Sequence, residues 1–295
     1  MRDKLTCKLR ERKSKFVEIF RTTPPGTVCP NFYVLSHANG CTFDPQCSYC
    51  YLKSSFGHLK EQQAFTNTDR LLAEVRRWIA RDKLESYLLN AGNLSDSLVF
   101  EGTRPLIGQL VEMFRAHAAG RPHTLLLVTK GGLRECECLF GRESCPNVIV
   151  TFSVNSPEAA AVYERGAATV DDRFRAARKL KRKGWRVRIR IDPMIVGFPY
   201  SATVKAVRAL APERITLGTL RAEPNLAHRV GKGLFAQHAR VVYKEFGRKI
   251  VRPVYHEIII LYYSRNIGGI GPYLVCHHLD IRVHRFDLLL RGKNL

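Results

Sequence analysis

VIVTFSVNSPEAAAVYERGAATVDDRFRAARKLKRKGWRVRIRIDPMI, residues 148–195, is the stretch whose pattern sets the fold class. It opens on Val148 to Val154, a short run rich in apolar and β-branched residues, as a buried strand requires. Asp172 to Arg182 has helix-like spacing, and Val187 to Ile191 returns to strand composition. The same alternation extends outward in both directions. Tyr87 to Asn90, Leu125 to Thr129 and Ile215 to Leu217 read as strands; Thr68 to Arg81, Pro105 to Ala119 and Ser201 to Leu210 read as helices. Strands alternating with helices predict an α/β chain with a parallel sheet or barrel. No internal repeat, low-complexity tract or Gly/Ser linker interrupts it.

One strand has a further property. Along VRIRID, Val187, Ile189 and Ile191 point one way, and Arg188, Arg190 and Asp192 the other. If the aliphatic residues pack on helices, the arginines enter a barrel lumen, where an anionic ligand would lie; otherwise the strand is an exposed edge. The preceding RKLKRKGW reads as the solvated face and end of a helix, or at most a phosphate-tracking patch.

Composition narrows the classes. With 295 residues and 45% apolar content the chain can bury a substantial core. Its longest wholly apolar runs, such as Ile258 to Tyr263, are far too short to cross a bilayer. MRDKLTCKLRERKSKF lacks the apolar stretch of a secretory signal, so a soluble, cytoplasmic protein is expected with no membrane partner. The 48 Lys and Arg against 26 Asp and Glu give a net charge of +22, which favours polyanionic partners, nucleic acid first among them. A generally basic solvated surface is the alternative. Nine cysteines suggest metal or redox chemistry in a reducing compartment.

Three of those cysteines fall in NGCTFDPQCSYCYL, Asn39 to Leu52, where Cys41, Cys47 and Cys50 have C-x5-C-x2-C spacing. Three converging thiolates suit a 4Fe-4S cluster with one iron left open. A zinc site completed from afar, for instance by Cys136, Cys138 and Cys145 of CECLFGRESC, is the main alternative, and buried free thiols another. Those three cysteines are also candidates for an auxiliary cluster.

CSYCYL resembles the cluster loop of the radical S-adenosylmethionine (SAM) superfamily, with Tyr49 as the aromatic before the third cysteine. The usual spacing there is C-x3-C-x2-C; this loop looks like one that has gained a Pro-Gln insertion. The likeness extends over roughly residues 29–263 and is nearest to the spore photoproduct lyase family. LLNAGNLSDSLVFEG (Leu88 to Gly102), LLLVTKGG (Leu125 to Gly132), VIVTFSVNSPE (Val148 to Glu158) and ERITLGTLR (Glu213 to Arg221) carry it in order.

The resemblance implies a partial (β/α)6 TIM-type barrel over 29–263, a basic extension over 1–28, and a segment 264–295 over the barrel mouth. It implies a 4Fe-4S cluster on Cys41, Cys47 and Cys50, and S-adenosyl-L-methionine held by Lys130 and Ser153, with Tyr49, Gly92, Asn93, Ser95, Asp96, Asn155 and Arg190 around it. Reductive SAM cleavage would yield a radical that abstracts hydrogen from a nucleic-acid or nucleotide-like substrate, with flavodoxin or ferredoxin as electron donor. In the family a cysteine of an A-x-C-x-S-D segment returns hydrogen to the substrate; here Asn93 holds that place, in Ala91 to Asp96. Tyr49 and Tyr51 match the family's relay tyrosines. Cys276, in GPYLVCHHLD, is the candidate substitute thiol or else a structural cysteine, and His277 and His278 beside it are weak metal candidates. Two further readings stay open: radical modification of a small metabolite or peptide, and a non-catalytic zinc protein that binds nucleic acid.

Overall fold

The computed structural model describes residues 7–20, 32–59, 61–195, 197–220, 226, 240–245, 248–253 and 274–276. The elements run β1 (Cys7–Arg10), β2 (Val17–Ile19), β3 (Tyr33–Leu35), β4 (Ala38–Asn39), α1 (Leu52–Ser55), β5 (Gln62–Phe65) and α2 (Thr68–Ile79). They continue with β6 (Tyr87–Asn90), α3 (Ile107–His117), β7 (His123–Thr129), α4 (Glu137–Phe140), β8 (Val148–Val154), α5 (Pro157–Tyr163) and α6 (Val170–Arg182). The chain then forms β9 (Arg186–Met194), α7 (Ser201–Leu210), β10 (Ile215–Thr219), β11 (Arg240–Glu245), β12 (Arg248–Pro253) and β13 (Leu274–Cys276).

The main sheet has the order β13-β10-β9-β8-β7-β6-β3-β2. From β3 through β6, β7, β8, β9 and β10 each strand pairs in parallel with the next in that series. These six strands with their crossover helices are the partial (β/α)6 barrel. Among the described residues its edges do not pair with each other: antiparallel β2 borders β3, and parallel β13 borders β10. A small sheet, β1-β5-β4, lies beside the first strand, and β11 and β12 form an antiparallel pair.

Residues 7–19, assigned in sequence to the extension, thus supply β1 and β2 to these two sheets. Residues 274–276, from the expected C-terminal segment, pair with β10 at the edge of the main sheet, with Cys276 in register with Leu217. His277 and His278 lie outside the described residues.

Strand pleat sorts the side chains. Val148, Val150, Phe152 and Val154 join Val187, Ile189, Ile191, Ile215 and Leu217 in the core against α6 and α7, whose Val170, Phe174, Leu180, Val204 and Val207 face them. The opposite face carries Val128, Thr151 and Arg188 in one register row, and Ser153, Arg190 and Thr216 in another. β9 is flanked by β8 and β10 and is no edge, so its arginines enter the lumen. Arg188 pairs with Glu213 at 2.6 Å, and Arg190 with Asp192 at 2.5 Å.

α6 begins two residues earlier than its sequence pattern predicts. The Thr169 hydroxyl accepts the Asp172 N–H at 3.2 Å, an N-cap ahead of two acidic residues in the first turn. The basic run at its other end is divided. Arg182 and Lys183 are solvated, while Lys181 Nζ donates to the carbonyls of Leu210 and Ala211 at 2.6 Å.

Candidate functional site

The cysteine loop follows β4, beside the C-terminal ends of the parallel strands, where barrels place their reactive groups. Cys41 and Cys47 are buried and Cys50 partly so. The Cys50 N–H donates to the Cys47 carbonyl at 3.1 Å, which puts the close pair on one turn. The Cys41 N–H donates to Gln62 Oε1 at 2.9 Å, tying the first cysteine to β5. None of the three is in a disulfide. Burial raises the Cys47 thiol to about 12 even against the opposing pull of the nearby Lys130 ammonium; burial raises Cys50 too, with Lys130 again among the opposing groups.

The donor set fits an iron–sulfur cluster: three thiols on one loop with a cation beside them, which favours the thiolate a metal requires. Among the described residues, no three His, Cys, Asp or Glu side chains are already gathered at metal-holding distances.

Lys130 ends β7. Its N–H donates to Asp96 Oδ2 at 2.7 Å, and Asp96 Oδ1 accepts from the Thr129 hydroxyl at 2.9 Å and the Leu98 N–H at 3.0 Å. The Asp96 carboxylate thus locks the β6 and β7 loops together. The Lys130 ammonium then lies 5.7 Å from the Tyr49 ring centre, over the cysteine loop. Gly92 is required by a close approach, since a Cβ there would press on the Val128 side chain and carbonyl. The buried Ser95 hydroxyl meets His37 Nε2 at 3.0 Å and so braces the loop from below. Ser153 and Arg190 stand side by side on the lumen face.

Two expected cofactor contacts are committed elsewhere. Asn155 is fully buried; its amide nitrogen donates to Glu164 at 3.2 Å and to the Pro193 carbonyl at 3.1 Å. Its oxygen accepts from Tyr200 at 2.7 Å and from the Ser156 N–H at 2.9 Å, so all four hydrogen-bonding positions are used. Tyr49 is buried too, and its hydroxyl donates to Glu164. Burial first, and then the Glu164 charge, hold that phenol well above its usual range. Tyr51 is instead half exposed, and its hydroxyl donates to the Asn93 carbonyl.

Cys136 and Cys145 are residues of the main core, with Cys138 packed at its border. Among the described residues these three cysteines are not gathered with other ligands as a single-ion metal site.

Sequence reasoning missed the ion pair beneath the loop. Arg173 Nη1 meets Glu164 Oε2 at 2.5 Å, and both side chains are fully buried. Burial opposes ionisation of Glu164, but Arg173 and Lys130 outweigh it and hold the carboxyl below its ordinary value. The one signal in the sequence was that Arg173 falls on the apolar stripe of α6 beside Val170, Phe174 and Ala177.

A family model described as spore photoproduct lyase matches residues 9–218, which include the whole cysteine loop and the six parallel strands up to the penultimate residue of β10. The spore photoproduct lyase of a Geobacillus species is 26% identical over 162 residues, 55% of this chain and 46% of that protein. The Bacillus subtilis enzyme is 22% identical over 164 residues, 56% of this chain and 46% of its own. The aligned part thus spans about half the length of these curated relatives. A solved structure of spore photoproduct lyase complexed with dinucleoside spore photoproduct superposes with a TM-score of 0.74 at 19% identity, covering 92% of this chain and 82% of that one. With the match running from the first strands to the last barrel strand, the chain belongs to the spore photoproduct lyase family.

Proposed function

We propose that this chain is a radical SAM enzyme acting on nucleic acid or a nucleotide-like substrate. The observation that carries the reading is the three-cysteine loop held under Lys130 at the C-terminal ends of a parallel barrel. A 4Fe-4S cluster on Cys41, Cys47 and Cys50 supplies, when bound, the electron that splits SAM into methionine and a 5′-deoxyadenosyl radical. The protein's own part is placement. Lys130 offers an ammonium for the SAM carboxylate, and Ser153 and Arg190 offer polar groups on the adjoining lumen wall. Gly92 keeps the β6 loop close enough to leave room for the cofactor. Flavodoxin or ferredoxin fits the need for a one-electron donor.

The return of hydrogen is where this chain departs from the family pattern. Asn93 has no transferable hydrogen of the thiol kind, but its carbonyl holds the Tyr51 hydroxyl at the same position. Tyr51 is thus the candidate hydrogen carrier, with Cys276 of β13 a second. The same substitution favours one alternative, radical modification of a different, smaller substrate.

The relative solved with dinucleoside spore photoproduct binds a nucleic-acid fragment, and the +22 charge of this chain suits such a partner. A basic strap offers a surface for it. Lys8, Arg10, Lys13 and Lys15 are exposed on residues 8–15. Arg70 pins the strap by donating to the carbonyls of Arg12, Lys13 and Ser14 at 2.7–3.0 Å, leaving those side chains outward. No helix among the described residues is long and apolar enough to cross a membrane; a cytoplasmic location is part of this proposal.

The test is anaerobic reconstitution, reduction with dithionite and addition of SAM with or without a DNA oligonucleotide, with 5′-deoxyadenosine quantified. Product lost in Cys50→Ala supports the radical reading, and stimulation by DNA supports the substrate class. Zinc rather than iron in the purified protein would overturn the radical reading.

A further inference from the structure

The two residues that lengthen the cysteine loop, Pro45 and Gln46, have a dedicated receptor in this fold. Gln46 Nε2 turns back to donate to the Cys41 carbonyl at 2.9 Å, closing the insertion on itself. The main chain of Asp44 and Pro45 then lies flat on Gly166, in the turn between α5 and α6. A Cβ on Gly166 would collide with the Pro45 carbonyl oxygen and the backbone of Asp44. The φ of Gly166 lies outside the left-handed region, so its requirement is space, not backbone conformation.

The same turn grips the loop at other points. The Ser48 N–H donates to the Tyr163 carbonyl at 2.8 Å. The Tyr49 hydroxyl donates to Glu164, which the buried Arg173 holds at 2.5 Å. Arg173 in turn donates to the carbonyls of Ala168 at 2.8 Å and Ser153 at 3.0 Å, joining the turn to the end of β8. Ala167 packs on Cys41, Phe43 and Leu52, and Ala159 packs on Cys47 and Tyr49. The loop from Asp44 to Tyr49 is therefore met along its length by the segment 159–167.

We infer that the turn 163–167 is a clamp that shapes the lengthened cysteine loop, with Gly166 and Glu164 as the positioning residues. A C-x5-C gap has more conformations than a shorter one, and each extra one costs entropy when three sulfurs must meet around a cluster. The clamp removes that freedom before the cluster arrives. It rests on the radical SAM reading for its purpose, but not for its first test.

That test needs no cluster. The full chain is purified metal-free, and alkylation of each cysteine by iodoacetamide is followed by peptide mass spectrometry. In Gly166→Ala, overpacking strain should ease local opening of the loop and raise labelling of Cys41 and Cys47 by about tenfold. Cys136 and Cys145, in the main core, should keep their wild-type rates and so report an intact fold. Tyr49→Phe, which removes one hydroxyl and leaves the ring, should act in the same direction more weakly. Val162→Ala, at a solvated position of α5, is the control.

Unchanged labelling of Cys41 and Cys47 in Gly166→Ala overturns the clamp. If all cysteines become reactive together, Tyr49→Phe decides: selective labelling of the loop supports the clamp, and none overturns it. Reconstitution is the second measurement. Lower iron per chain in the two loop variants than in wild type and Val162→Ala links the clamp to cluster assembly. Failure of wild type to take up iron would instead refute the radical SAM reading, while leaving the labelling result to stand on its own.

Discussion

Tyr49 and Tyr51 flank Cys50 at equal distance in the chain, yet one is buried on Glu164 and the other is half exposed on Asn93. The sequence marks both alike as relay candidates; only the fold gives them different surroundings. His37 makes the same point. It is fully buried, and Arg104, which can only donate, meets its Nδ1 at 2.8 Å. Nδ1 therefore accepts, and the proton sits on Nε2, which donates to the Ala91 carbonyl at 3.0 Å. Burial, and then the guanidinium, lower its pKa from 6.5 to about 3. On acidification the unfolded chain takes up this proton near pH 6.5 and the folded one does not. Stability from this site is thus complete above that value and lost between pH 6.5 and 3, at about 1.4 kcal/mol per pH unit. Denaturant titrations of wild type across that window should show this slope, and His37→Gln should flatten it while lowering stability at neutral pH. Equal slopes in the two proteins would refute the assignment.

At the scale of elements, pattern reading located five of the six parallel strands, β6 to β10, from their apolar and β-branched composition, and missed the short β3. β6, β8 and α7 have the predicted limits, whereas β9 extends through Asp192 and Pro193 to Met194, which pairs with Thr219 of β10. The end of α7 carries strain that pattern reading does not register. Ala211, its C-cap, has a φ of 46°, in the left-handed region where a Cβ meets the following carbonyl. Lys181 holds the cap by donating to the carbonyls of Leu210 and Ala211. Ala211→Gly should therefore stabilise the protein by about 1 kcal/mol, relief of the left-handed penalty exceeding the entropy glycine adds to the unfolded chain. Thermal or urea denaturation reads this directly, and a lower midpoint would show that the cap is not strained.

For the whole molecule, net charge is the property that composition states outright, and its distribution is the property it hides. The run at 179–183 looks the strongest basic patch in the sequence, but Lys181 is spent on the end of α7 and Lys179 lies over Phe140. The strap at residues 8–15, less conspicuous in sequence, is held rigid with its charges outward. If it tracks phosphates, Lys8→Ala, Arg10→Ala, Lys13→Ala and Lys15→Ala together should weaken duplex binding. The slope of log affinity against log salt should become shallower by about 0.9 for every phosphate that the four side chains no longer neutralise. Fluorescence anisotropy over a salt series measures both, and an unchanged slope would remove the strap from the interface.

By itself the sequence determined the α/β alternation, the inward set of aliphatic residues, the cysteine loop and the family. These are properties of neighbours along the chain, where period, spacing and residue type act directly. The tertiary structure alone decided that Asn155 and Tyr49 hydrogen-bond to Glu164, that Arg173 neutralises Glu164 beneath the loop, and that Gly166 makes room for Pro45. Each of those depends on groups distant in sequence sharing one buried volume. There the cost of an unpaired charge or an overlapping atom, and not local propensity, selects the arrangement.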